Sequence, residues 1–135
     1  MKMNEEIKYK KTIFAIIIRG KKYKKKRGIN FFTQNSFPLQ VAYINHKRNH
    51  VILPHVHIRK KRKIFQTSEV LIILKGKLKV DFYTQKEKFL KSRILKKDDI
   101  IVFLNGGHGF YVKEKCSFIE VKQGPFFPSS DKKRI

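Results

Sequence analysis

Short apolar runs recur along the chain, each broken within a few residues by Gly, Pro, Asn or a charge. No stretch holds the i, i+3, i+4 spacing of an amphipathic helix, so the pattern predicts strands. The run 12–19, Thr-Ile-Phe-Ala-Ile-Ile-Ile-Arg, reads as the first. The basic stretch 20–28 then reads as an exposed loop or hairpin tip, 29–33 as a return strand and 34–38 as a turn. Residues 39–44 and 50–53 read as further strands, and 54–57 as the start of another. Residues 70–74 form a buried run, and Lys75-Gly76-Lys77 a turn. In 77–82 the alternation is clean, with Leu78, Val80 and Phe82 on the inner face. Residues 88–95, 100–103, 108–112 and 117–121 complete the series, with turns at 84–87 and at Asn105-Gly106-Gly107. About ten short strands without a helix predict an all-β barrel or sandwich.

The 135 residues suit one domain, and neither a linker nor an internal repeat divides them. The reading is a single domain over 1–135, with its core over about 39–122. A basic hairpin tip is expected at 58–68 and a loose tail at 126–135, in which Phe126 and Phe127 dock briefly before the end frays. Hydrophobic residues make up 41%, enough for a core rather than wholesale disorder. The longest apolar run near the start, 13–18, is far short of the roughly 20 residues of a membrane helix. Glu5 and Glu6 stand where a signal peptide carries positive charge. The expectation is a cytoplasmic protein without a membrane span. The single cysteine, Cys116, excludes an intramolecular disulfide and a Cys-cluster metal site, and it is expected to be structural.

Charge adds one ambiguity. Lys and Arg number 33 against 10 Asp and Glu, a formal net charge of +23. Two runs concentrate it, 21–27 and 59–63. Such runs neutralise phosphates with release of counterions, which is the polyanion or nucleic-acid reading. The remaining lysines, however, spread over nearly every segment, and no nucleic-acid motif accompanies them. A solvated, lysine-coated surface accounts for this distribution, and nucleic acid is not the expected partner.

The histidines carry the candidate chemistry. Four of five fall between 46 and 57: His46, His50, His55 and His57; the fifth is His108. Strand side chains alternate, so His55 and His57 share a face and can share a metal ion. Glu69 opens the strand expected to pair with theirs and is the candidate third ligand. His108, after the Gly-rich turn, is the candidate fourth. Three imidazoles and a carboxylate suit iron(II), manganese, nickel, cobalt or zinc. His50, Tyr43 and Tyr111 are candidate acid–base groups.

These residues resemble the two motifs of the cupin family. His55-x-His57 is followed by Glu69, six residues (70–75) and Gly76. Lys97-Asp98-Asp99, the apolar strand 100–103 and Leu104-Asn105-Gly106-Gly107-His108 follow the second motif. The resemblance departs from the pattern in four places, the first being that the glycine before His55-x-His57 is missing from its usual position. Residues 58–68 lengthen the spacer before Glu69, Asp98 stands for the usual turn glycine, and Leu104 for the usual proline. The resemblance implies a jelly-roll (double-stranded β-helix) barrel with one divalent metal held by His55, His57, Glu69 and His108 in its mouth. It is closest to small single-domain bacterial cupins, some of them encoded beside sugar and surface-polysaccharide genes. It implies a metal-dependent enzyme acting on a small molecule, a sugar or sugar nucleotide, by isomerase, epimerase or oxygenase chemistry. A non-catalytic module holding a metabolite or metal is the alternative, and a homodimer paired through edge strands is the expected assembly.

Overall fold

The central strands are continuously apolar because both of their faces are buried. In β2 (Thr12–Ile18), Ala15 and Ile17 face one core while Ile16 and Ile18 face another. The same split recurs in β7 (Ile100–Phe103), where Ile101 and Phe103 oppose Ile100 and Val102. Both clusters are nearly water-free; Ile17, Ile18, Leu71 and Ile101 are each 0% exposed. Burial of this kind stabilises by about 1.5–3 kcal/mol per large aliphatic side chain.

The computed structural model describes residues 4–135. Eight strands, all paired antiparallel, and one helical turn form among them. β1 (Asn4–Tyr9) pairs with β2, β2 with β7, and β7 with the first part of β5 (Glu69–Tyr83). The later part of β5 pairs with β6 (Phe89–Lys96). On its other side β5 pairs along its length with β8 (Gly107–Lys122). The four-residue helix α1 (Gly20–Tyr23) follows β2, and β3 (Gly28–Phe31) pairs with β4 (Ala42–Asn45) in a separate small sheet.

Strands β5 and β8 bend together. Register shifts interrupt their pairing between Ile73 and Leu78, around Gly76. The bend folds the large sheet over on itself. Leu71 and Ile73 from before it and Leu78, Val80 and Phe82 from after it enter one buried cluster with Ile7, Ala15, Ile17 and Leu95. The small sheet lies over the opposite face, where Tyr23 and Phe32, with Tyr43, Val41 and Leu39 beside them, cover Ile16, Ile18, Val70 and Val102.

The expected all-β class is observed, and Leu78, Val80 and Phe82 point inward as their alternation requires. Several boundaries differ. The expected turn at 75–77 is a bend inside one strand, and 108–112 and 117–121 are likewise parts of one strand. β1, absent from the sequence reading, belongs to the core with β2, so burial begins at Ile7 rather than near residue 39. The basic stretch 20–28 is not wholly exposed, because α1 buries Tyr23. Residues 50–53 and 54–57 form no strand, and 58–68 no hairpin tip. Among the described residues this segment pairs with no strand. Among the described residues no helix is long and apolar enough to cross a membrane.

Candidate functional site

The fold-over brings Glu69 and His108 together. In register, Glu69 lies opposite Lys122 and Phe103, while His108 lies opposite Phe82 at the far end of β5. Across the folded sheet, His108 Nε2 nevertheless sits 2.9 Å from Glu69 Oε2. The His108 ring stacks on Phe103 at 4.0 Å between centroids and on Phe110 at 5.1 Å. Phe103, paired with Glu69 in the neighbouring strand, thus fixes the imidazole that meets the carboxylate.

The pair lines a cavity of about 780 Å³ with Tyr83, Asn105, Phe110 and Glu120 among its walls. Residues 131–135 close one side, and Lys122 Nζ, 3.5 Å from Asp131, ties that segment to β8. The tail is therefore a wall rather than the frayed end expected, and Phe126 and Phe127 are themselves more than half exposed. Gly106 makes the turn that delivers His108. Its φ is 72°, and a Cβ there would lie 2.6 Å from the Tyr83 carbonyl oxygen.

The Glu69 side chain is only 14% exposed. The His108 imidazole at its side holds its carboxyl below the usual carboxylate range; burial opposes this, and the His108, Lys122 and Lys132 charges reinforce it. The 2.9 Å contact is an ion pair by distance without an aligned N–H···O hydrogen bond, which leaves Oε2 an orphaned buried acceptor. A carboxyl whose folded pKa is depressed contributes stability that is complete above its unfolded pKa and is lost as pH falls through the folded value. Wild type is thus expected to be more stable than Glu69→Gln at neutral pH, with the gap closing as pH falls below the ordinary carboxylate range. Urea titrations of both proteins across that range measure it; a gap that does not depend on pH would contradict the ion pair.

The other candidates lie elsewhere. His55 and His57 are exposed in an irregular segment, their rings 5.3 Å apart, and His55 Nδ1 is 2.8 Å from the Leu53 carbonyl. His50 is exposed and stacks on His46 at 3.8 Å. Tyr43 packs on Tyr23 at 5.0 Å in the second core, and Tyr111 is 60% exposed, with Lys79 and Lys113 each 5.8 Å from its ring. None of these lines the cavity. Tyr83 and Glu120 do, and the sequence marks them only as outward positions of strands. Cys116 packs against the first core, and burial pushes its thiol up, consistent with a structural role.

A metal fits this chain only in part. Among the described residues no group of three or more His, Cys, Asp or Glu side chains is arranged to hold a cation. Glu69 and His108 offer two donors, and the expected partners His55 and His57 are not beside them. No family model, curated protein or solved structure matches the chain. The resemblance to cupins therefore stands on the motif residues alone.

Proposed function

We propose that this chain is a cupin-type jelly-roll domain that takes a small, oxygen-rich molecule, of the sugar or sugar-nucleotide class, into the cavity at Glu69 and His108. The observation that carries the reading is a carboxylate, 14% exposed, 2.9 Å from an imidazole, both lining a cavity of about 780 Å³. Phe103 and Phe110 hold the imidazole in place at the cavity wall. Histidine exchanges protons near neutral pH, and a carboxylate beside it orients the ring and stabilises its charged form. That pairing supports proton transfer at a carbon or hydroxyl of the ligand, the step shared by isomerases and epimerases. Aromatic and polar walls in one concave site are typical of metabolite pockets.

The test is calorimetric binding and turnover against a panel of nucleotide sugars and keto acids. At least one member is expected to bind, with Glu69→Gln weakening it by about 10- to 100-fold through loss of a charge-assisted hydrogen bond. If that member turns over, His108→Ala is expected to cut the rate by about 10²–10⁴-fold. Binding that survives both substitutions would place the ligand elsewhere. Binding without turnover would favour the non-catalytic module.

A further inference from the structure

The basic run 21–27 has no part in the proposed function, and the fold gives it a setting that the other basic run, 59–63, lacks. Lys21 and Lys22 lie in α1, and they face the same cavity as Lys96 and Lys97 at the turn between β6 and β7. That cavity measures about 700 Å³. It lies where β7 begins, beside Asp98 and Asp99, whereas the cavity at Glu69 and His108 lies beyond the other end of the strand. Residues 59–63 are exposed and line neither cavity.

Six basic side chains line this cavity against three carboxylates, an excess of three positive charges. The carboxylates are already engaged. Asp99 meets Arg19 at 2.7 Å, Asp98 meets Lys24 at 2.5 Å, and Glu5 meets Arg93 at 2.5 Å. Among the described residues no ion pair reaches the ammonium groups of Lys21, Lys22, Lys96 or Lys97. Like charges gathered round one concavity repel each other, and a bound anion relieves that repulsion. The backbone that carries them is firmly tied. The Asp99 carboxylate accepts the N–H groups of Gly20 at 3.1 Å and Lys96 at 3.0 Å, and the Tyr23 hydroxyl donates to the Asp98 carbonyl. A Cβ on Gly20 would lie 2.6 Å from the Asp98 Cβ, so the two segments touch directly. The two lysine pairs are thus held facing one space before any ligand arrives, which lowers the cost of ordering them.

We infer that this cavity binds a small anion of two or three linked phosphate groups, held by Lys21 and Lys22 on one side and by Lys96 and Lys97 on the other. Lysine meets phosphate as a point charge on a flexible stem. Four such charges on two segments suit negative charge spread along a short phosphate chain better than a single carboxylate or orthophosphate. A nucleic-acid strand carries only one charge per phosphate, and a concave wall containing three carboxylates disfavours it. The site stands independently of the proposed function.

Calorimetry on the full chain with inorganic triphosphate, at about 0.15 M salt and without divalent cations, tests this. One equivalent per chain is expected to bind and to raise the melting temperature. Lys21→Gln with Lys97→Gln removes one charge from each side of the cavity, and both side chains are exposed, so the fold should persist by circular dichroism. This variant should bind triphosphate at least about 10-fold more weakly, the effect of losing charge-assisted hydrogen bonds. Lys60→Gln with Lys61→Gln makes the same change of charge in the run outside the cavity and should alter affinity less than about two-fold, since distant exposed charges are screened. Equal losses in the two variants would show that only net charge is sensed and would overturn the site, as would no binding by wild type. Orthophosphate should bind more weakly than triphosphate, and equal affinity would refute the linked-phosphate class. A nucleoside triphosphate should compete for the same equivalent, as tightly as triphosphate if only the phosphates are held, and more tightly if a nucleotide is their source. A single-stranded oligonucleotide that displaces triphosphate at equal phosphate concentration would replace the inference with a nucleic-acid surface.

Discussion

Gly76→Ala is expected to destabilise the protein by about 3 kcal/mol or more, enough to lower its melting temperature by about 10 °C. Gly76 has φ of 83°, a left-handed conformation that costs a side-chain-bearing residue about 1–2 kcal/mol. A Cβ there would also lie 2.0 Å from the Lys115 carbonyl oxygen and 2.8 Å from the Cys116 Cα. Those are backbone atoms of the paired strand, so relief requires β5 and β8 to part at the bend that folds the sheet. Gly28 provides the control. Its φ is 74°, but nothing stands within 4 Å of its Cβ position. Gly28→Ala should therefore cost about 1 kcal/mol, the backbone term alone. Thermal melts of the two variants decide the matter, and equal losses would show that the close approach at Gly76 carries no energy.

Asp99→Ala is expected to cost about 3–5 kcal/mol, the effect of breaking a buried ion pair from one side. The carboxylate is 2% exposed and meets Arg19 Nη1 at 2.7 Å. It also accepts the backbone N–H groups of Gly20 at 3.1 Å and Lys96 at 3.0 Å. One side chain thus joins the end of β2, the start of α1 and the turn between β6 and β7. Its removal strands two backbone donors and leaves the Arg19 guanidinium, only 24% exposed, with the Ile94 carbonyl at 2.8 Å and the Glu5 carboxylate at 3.9 Å. Arg19→Ala should cost less, because Asp99 keeps both backbone donors. Urea unfolding of Asp99→Ala, Arg19→Ala and the double variant gives the coupling. A loss below about 1 kcal/mol for Asp99→Ala would show the anchor to be dispensable.

The sequence made the inward faces legible because alternation needs no knowledge of partners. Leu78, Val80 and Phe82 are buried where the period of two puts them, and Glu69 and His108 do meet. Asp98, read as standing in for a turn glycine, indeed has φ of 72°. Pairing was less legible, since it is set by the whole fold. β1 does not read as a strand, since Glu5 and Glu6 interrupt any apolar pattern there; in the fold Glu5 pairs with Arg93 Nε at 2.5 Å. β3 and β4 were recognisable as strands, but nothing local shows that they form their own sheet. The apolar residues of 50–58 suggest strands, but this segment enters no pairing among the described residues and forms none. The tail reads as an end that frays after Phe126 and Phe127, and only the folded chain reveals it as a wall of the cavity.

The position of β7 between β2 and β5 has a consequence for how the protein is made. Strand β2 is synthesised well before β7, and its run Ile16-Ile17-Ile18 is covered by β7 and its neighbours. The contacts that lock this end of the sheet, such as Arg19 with Asp99, span 80 residues. At about 5–20 residues per second, that interval corresponds to roughly 4–16 seconds of translation. Throughout it, an aliphatic strand with a high tendency to self-associate has β1 on one edge while the edge that β7 will cover stays open. The first third of the chain therefore depends during synthesis on dilution, on chaperones or on the lysines around it to remain unaggregated, and yield from the ribosome should fall as expression is driven harder.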